Sequence, residues 1–145
     1  MERNLPYALE CYKKTASYGN DSYACRQLGR LYFNGWGTAV DYAQAVQWLE
    51  RDKEPEGIKY DLLGICYLLG RGCQQNPAQG KAFLEKSQDS PYKSYGLGMM
   101  YAEGIGVREN IEKGVEYLKA AGNYGPAMEA LKHYKKSLFG VWRRK

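Results

Sequence analysis

Apolar and polar residues alternate along the chain with the period of an α-helix, in short segments that glycine-rich turns separate. Residues 23–33 place Ala24, Leu28, Leu31 and Tyr32 on one helical stripe. A second amphipathic segment follows the turn, with apolar residues at Tyr42, Ala45, Val46, Trp48 and Leu49. This pattern predicts a pair of helices that are joined by a tight turn.

The helix pair occurs three times. Leu28-Gly29, Leu63-Gly64 and Leu97-Gly98 are spaced 35 and then 34 residues apart. Each Leu-Gly is followed by a tyrosine (Tyr32, Tyr67, Tyr101) and by a Gly-x-Gly turn (Gly35/Gly37, Gly70/Gly72, Gly104/Gly106). A period in this range predicts stacked helical hairpins and disfavours a globular enzyme core.

Polar capping residues indicate where these helices begin. The second helices follow the column Asn4, Asp41, Asn76 and Asn110, and the first helix of the first full repeat follows Asn20-Asp21-Ser22. Short polar side chains favour these places because they accept hydrogen bonds from the free backbone N–H groups of a first turn. The first of the four second helices, near residues 5–16, has no first helix before it.

A column of glycines inside the first helices predicts close contact between the two helices of each pair. Gly29, Gly64 and Gly98 each cost about 1 kcal/mol of helix stability relative to alanine. The second helices carry a matching column of small residues, which are Ala8, Ala45, Gly80 and Gly114. We expect each glycine to pack against the small residue of its own hairpin.

Together these elements predict an all-α fold, with one domain built as an α/α superhelical solenoid of antiparallel helix pairs. We divide it into a half repeat at 4–19, full repeats at 20–54, 55–88 and 89–122, a capping helix at 123–140 and a basic tail at 141–145. The last segment has lost the repeat glycine, as a terminal cap does. We expect its helix to run from about Ala127 to about Leu138 and the basic tail to be solvated.

The repeat columns resemble the Sel-one-like repeat family, the longer-looped relatives of tetratricopeptide repeats. The third repeat carries the family pattern in Leu97-Gly98-Met99-Met100-Tyr101-Ala102-Glu103-Gly104-Ile105-Gly106-Val107, followed by Asn110. The linker at 52–57 departs from the family's Ala-Ala-x-x-Gly-Asn. The resemblance implies a superhelical protein-binding scaffold whose first helices line the concave face, and it does not imply catalysis.

If the first helices line the concave face, their positions outside the repeat core are candidate partner contacts. These candidates include Tyr23, Arg26, Arg30, Phe33, Ile58, Asp61, Ile65, Leu68, Tyr92, Tyr95, Met99 and Glu103. Tyrosine and arginine are frequent in binding hot spots, and exposed apolar residues on this scale mark interaction sites. Trp36, in the first Gly-x-Gly turn, is either a further partner anchor or a side chain that folds over the neighbouring hairpin.

Composition and charge narrow the classes of partner. The chain carries a net charge of +5 with basic residues spread along its length, so we expect another protein as partner and not nucleic acid. No run of about 18 apolar residues occurs, so we expect neither a membrane span nor a membrane partner. The first residues contain no apolar signal core, and the expected compartment is therefore the cytoplasm.

Residues that could support catalysis or hold a metal are scattered. Cys11, Cys25, Cys66, Cys73 and the single His133 fit no zinc spacing, and no phosphate-binding loop is present. We therefore expect no enzyme activity, no cofactor and no metal. With no export signal the thiols are expected to be reduced, with Cys25 and Cys66 buried and Cys73 more accessible.

Two kinds of binding function remain open. Small size and the lack of a second domain favour an inhibitor that occupies one partner, such as an immunity protein that neutralises a toxin domain. The alternative is an adaptor or chaperone-like scaffold in a larger assembly, or a fragment of a longer repeat protein. The unpaired first helix favours a fragment, and the loss of the repeat columns at the C-terminus disfavours it.

Overall fold

The computed structural model describes residues 4–19, 21–54 and 59–145, which leaves Asn20 and Ile58 outside the described residues. The elements in chain order are α1 (Leu5–Gly19), α2 (Ser22–Asn34), α3 (Tyr42–Arg51), α4 (Lys59–Leu69), α5 (Pro77–Lys86), α6 (Pro91–Glu103), α7 (Ile111–Ala120), α8 (Gly125–Leu131), β1 (Tyr134–Lys136) and β2 (Trp142–Arg144). Helix α2 pairs with α3, α4 with α5 and α6 with α7, while α1 packs on α2 and α8 on α7. The predicted all-α repeat solenoid is confirmed.

The capping column behaves as predicted. The side chains of Asp41, Asn76 and Asn110 accept hydrogen bonds from the backbone N–H three residues further on, at 3.0, 3.1 and 3.0 Å. The Asn4 side chain does the same for the N–H of Tyr7 at 3.1 Å. All four second helices thus begin with the same capping hydrogen bond, and the repeats share one local geometry at this point.

The column of helix glycines brings the two helices of each hairpin into contact. A Cβ at Gly64 would lie 2.7 Å from Cγ of Leu84 and 3.2 Å from the carbonyl oxygen of Gly80. Gly29 and Gly98 are placed in the same way against Ala45 and Gly114. The predicted contact with the small residue is thus confirmed in all three repeats, and the facing leucine fills the rest of the notch.

The Gly-x-Gly turns position each repeat on the one before it. Gly72 has a φ of +75°, and a Cβ there would lie 2.3 Å from the carbonyl carbon of Tyr42, at the start of α3. Gly37 packs in the same manner on Leu5, at the start of α1. Only glycine combines this backbone conformation with so close an approach, so the turn sets how neighbouring repeats stack.

The prediction for the C-terminus is wrong beyond Leu131. Helix α8 ends there, and residues 134–136 and 142–144 form an antiparallel hairpin in which Tyr134 pairs with Arg144. The predicted helix to Leu138 does not form, and residues 142–144 of the predicted basic tail form strand β2, in which Arg143 and Arg144 remain exposed. A short terminal helix is marginal on its own, and the hairpin gains tertiary bonds, because Arg144 donates to the Ala102 carbonyl at 2.8 Å and pairs with Glu109 at 2.9 Å.

Candidate protein-binding surface

Aromatic rings fill the inner side of the solenoid. The ring of Phe33 on α2 lies 6.0 Å from that of Tyr92 on α6, and Tyr124 lies 5.0 Å from Tyr92 and 5.5 Å from Tyr95. Nδ2 of Asn34 donates to the Tyr92 hydroxyl at 3.1 Å. Helices α2 and α6 belong to the first and third repeats, so these contacts show a tightly curled superhelix.

Arg71 joins the two ends of this aromatic cluster. Its guanidinium lies 5.4 Å from the ring of Tyr42 and 5.8 Å from that of Tyr95, and it donates to the Tyr95 hydroxyl at 3.0 Å. Burial also raises the pKa of Tyr124 above its ordinary value, because the phenolate would be poorly solvated among the other rings. Edge-on ring pairs and cation–π contacts stabilise the curl of the chain.

Six of the predicted contact residues belong to the core. The exposed fractions are 3% for Phe33, 2% for Asp61, 0% for Ile65, 0% for Leu68, 9% for Tyr92 and 3% for Tyr95. The prediction that they form an open concave surface is wrong. Helix α4 is packed between α3, α5 and α6. The superhelix is so tightly wound that neighbouring helices cover the first-helix faces that the sequence predicted to be open to a partner.

Asp61 is the most buried of the charged candidates. Its carboxylate accepts hydrogen bonds from the Ser90 hydroxyl at 2.6 Å and from the backbone N–H of Leu62 at 2.8 Å. Burial raises the pKa of this carboxyl to about 6, and the two hydrogen bonds act in the opposite direction. Asp61 therefore connects the first turn of α4 to the N-cap of α6.

Arg26 is engaged in a structural ion pair. Its Nε lies 2.7 Å from the carboxylate of Asp52, whose side chain is fully buried. Lys59 donates from Nζ to the backbone carbonyl of Asp52 at 2.8 Å. Asp52, the first residue of the unusual linker between the first two repeats, is thus held by Arg26 on α2 and by Lys59 on α4. Arg26 therefore has a structural role.

Three of the candidates that stay accessible, Tyr23, Arg30 and Trp36, lie on helix α2 or in the turn that follows it. Its guanidinium lies 5.3 Å from the ring of Trp36, which is 39% exposed, and Tyr23 on the same helix is 57% exposed. Nε of Arg30 is buried and has no hydrogen-bond partner among the described residues. The Arg30 guanidinium therefore covers one part of the Trp36 ring, and the rest of the ring is open to solvent.

Two hollows meet at Arg30. The first, of about 400 Å³, is lined by Asn4, Leu5, Tyr7, Ala8, Tyr12, Gln27, Arg30, Leu31 and Trp36. The second, of about 590 Å³, is lined by Arg30, Pro91, Tyr92, Ala120, Ala121, Gly122, Asn123 and Tyr124. An aromatic-lined depression beside a guanidinium is suited to receive a carboxylate and apolar side chains of a partner.

Met99 and Glu103 lie apart from this region. They line a hollow of about 280 Å³ near α8, and Glu103 accepts hydrogen bonds from Tyr134 and from Arg144 of the hairpin. The hairpin therefore occupies the polar end of Glu103. The structure does not bring these two candidates together with Arg30.

Sequence reasoning missed three members of the inner aromatic cluster. Tyr42 was assigned to the apolar face of its helix, and Tyr124 occupies no repeat column, so nothing singled it out. Arg71 stands between the two glycines of its turn, in the same place as Trp36. In the structure both turn residues take part in cation–π contacts, Trp36 with Arg30 and Arg71 with Tyr42, and the sequence gives no sign that Arg71 packs inwards.

The described residues hold no arrangement typical of metal or thiol chemistry. In the described part of the chain no group of three His, Cys, Asp or Glu residues could hold a metal ion. Cys25 and Cys66 are buried as expected, and burial raises the pKa of the Cys66 thiol to about 12, which leaves it unreactive. Cys73 is half-buried.

In the same described ranges, no helix is both long and apolar enough to span a bilayer.

Comparison with known proteins agrees with the repeat geometry. The Sel1 repeat model matches residues 1–20, 22–51, 61–87 and 94–123. The chain belongs to the Sel1 repeat family. The matched segments include the leading half repeat, and Sel1 repeats are generally non-catalytic scaffolds for protein interactions.

Relatives of this Sel1 repeat chain are larger proteins. The ERAD-associated E3 ubiquitin-protein ligase component HRD3B of Arabidopsis thaliana is 28% identical over 100 residues, which are 66% of this chain and 15% of the plant protein. A protective antigen of uropathogenic Escherichia coli with an SLR fold is 30% identical, with a TM-score of 0.54, over 85% of this chain and 27% of its own. A Sel1 repeat protein of Oxalobacter formigenes is 23% identical, with a TM-score of 0.57, over 90% and 56%. These likenesses agree with the Sel1 repeat fold, and this chain spans between 15% and 56% of the length of the three proteins.

Proposed function

We propose that this Sel1 repeat chain binds one partner protein at the surface around Arg30. The observation that carries the proposal is the guanidinium of Arg30, which borders two hollows and stacks on Trp36. Tyr23 adds an exposed aromatic side chain on the same helix. Desolvated arginine beside tyrosine and tryptophan is the usual composition of a binding hot spot.

The partner we propose is a toxin domain that the chain neutralises in the cytoplasm. An inhibitor of this kind needs a rigid surface and no chemistry of its own, and the tightly curled solenoid offers such a surface. A partner that presents a carboxylate next to an apolar side chain would complement Arg30 and the rings beside it.

A second candidate is an adaptor within a larger assembly. The plant relative is a component of a ubiquitin ligase, and this chain corresponds to a small part of that protein. An adaptor would bind several proteins more weakly, whereas an inhibitor would bind one protein tightly. The number of partners that depend on Arg30 separates the two.

Replacing Arg30 by glutamate is expected to weaken partner binding at least about tenfold without unfolding the protein, because the new charge repels the partner's carboxylate. The full chain is used to capture proteins from lysate of the source organism, and the affinity for each captured protein is then measured by calorimetry. Arg108→Glu is the matched control, since Arg108 lies exposed in the α6–α7 turn and the charge change is the same.

A protein captured by the wild type and by Arg108→Glu, but lost with Arg30→Glu, supports the proposed surface. Growth arrest by that protein alone, relieved when this chain is co-expressed, supports the inhibitor. Equal affinity in all three forms would move the binding site away from Arg30.

A further inference from the structure

The turn of the C-terminal hairpin presents two large apolar side chains to solvent. Leu138 is 103% exposed and Phe139 is 94% exposed, and Val141 beside them is 58% exposed. The turn is closed by Ser137, whose N–H donates to the Val141 carbonyl at 2.8 Å. A tight, hydrogen-bonded turn holds these side chains outwards, and nothing in the described chain covers them.

Positive charge surrounds this apolar tip. Residues 132–145 contain six lysines and arginines and no aspartate or glutamate. Lys135 and Arg143 face each other across the strands and are exposed, and the Lys136 side chain lies against the turn, 3.7 Å from the Cβ position of Gly140. The cations are thus within a few residues of the tip on both strands.

The hairpin is also fixed to the body of the protein. Arg144 pairs with Glu109 at 2.9 Å and with Glu103 at 3.4 Å, and Tyr134 donates to Glu103. The ammonium of Lys119 on α7 lies 4.4 Å from the ring of Trp142. Because both strands are bonded to the last repeat, the tip projects from the solenoid in a defined direction.

We propose that this hairpin binds an anionic lipid surface, with Leu138 and Phe139 inserted among the lipids and the surrounding cations on the headgroups. The arrangement matches interfacial binding, in which apolar side chains enter the acyl boundary and lysine and arginine pair with negative lipids. The sequence predicted no membrane partner because it contains no run of about 18 apolar residues. A hairpin tip at the interface needs no such segment.

A lipid surface suits the tip better than a pocket on another protein. Protein interfaces have an apolar centre of some breadth that is packed to high complementarity. Here the apolar surface is a narrow projection with cations on both strands, so it offers little area to a shaped pocket. Lipids adapt to any outline, and the charge has the sign that anionic headgroups require.

The protein of residues 1–145 is expected to sediment with vesicles that contain phosphatidylserine and to remain in solution with pure phosphatidylcholine vesicles. Phe139→Asp is expected to weaken binding by about tenfold or more, because a fully exposed phenylalanine would lose its burial and the charge would oppose the headgroups. Tyr18→Asp is the matched control, since Tyr18 is an aromatic residue 91% exposed on α1 and the charge change is identical.

Several results would overturn this proposal. They are an absence of binding to phosphatidylserine vesicles, equal binding to both kinds of vesicle, and binding that Phe139→Asp and Tyr18→Asp reduce equally. If the protein bound an acidic protein through Phe139 and did not bind the vesicles, the partner of the hairpin would be a protein and the lipid proposal would be wrong. Binding that Phe139→Asp removes, and that salt raised from about 0.1 M weakens, supports insertion together with charge pairing.

Discussion

Replacing Gly80 by alanine is expected to lower the free energy of unfolding by about 2 kcal/mol, although alanine is the better helix former by about 1 kcal/mol. A Cβ at Gly80 would lie 2.6 Å from the backbone nitrogen of Leu68 and 2.9 Å from the carbonyl oxygen of Gly64. The obstacles are backbone atoms, which cannot turn aside as a side chain would. The hairpin of α4 and α5 must therefore open to admit the methyl group.

Urea denaturation of the two proteins measures this change. Gly125→Ala is the matched control, because nothing lies within 4 Å of a Cβ at Gly125 and that glycine also belongs to a helix. The control is expected to equal or slightly exceed the wild type. A Gly80→Ala protein as stable as this control would contradict the close crossing of the helices.

The helix pairs could be predicted because their causes are local and repeated. Asp41, Asn76 and Asn110 begin their helices through bonds that span three residues, and any repeat with the same cap behaves alike. The glycine notch likewise involves only the two helices of one hairpin. A pattern that recurs at the same positions of three repeats outweighs the ambiguity of any single residue.

The angle between repeats has no such local cause. The contact of Asn34 with Tyr92 joins residues 58 positions apart, and it decides that Phe33 and Tyr92 are internal. Small differences in the stacking of each repeat add up along the superhelix. The sequence pattern therefore predicted the helices and turns of each repeat, and it could not show that Phe33 and Tyr92 meet inside the superhelix.

The C-terminal hairpin was missed for a related reason. Its strands are three residues long, which is too short for alternation to be distinguished from helical spacing. What stabilises it are bonds from Arg144 to Ala102, Glu103 and Glu109, and these partners lie in the preceding repeat. Tertiary contacts of this kind override a weak helix preference.

Asp61→Asn is expected to make the protein about 2 kcal/mol more stable near pH 7 and to remove a pH dependence that the wild type shows. Burial raises the pKa of Asp61 from 3.8 to about 6, so the folded protein binds this proton more tightly than the unfolded chain does. Protonation therefore stabilises the folded state, and the stability that Asp61 contributes falls as the pH rises from about 4 to about 6. Asparagine is neutral throughout and can still bond to Ser90 and to the N–H of Leu62.

The difference in unfolding free energy between the two proteins, measured by urea denaturation from about pH 4 to about pH 7, isolates this residue because all other carboxylates are shared. Asp89→Asn is the matched control, since Asp89 is fully exposed and its distance to Lys93 is 3.7 Å. The control profile is expected to run close to the wild type, because a surface pair contributes little. If the Asp61→Asn profile ran parallel to the wild type as well, the buried carboxyl would not be the source of the pH dependence. A change of slope confined to Asp61→Asn would show that the solenoid keeps a titratable group in its core, between the first turn of α4 and the cap of α6.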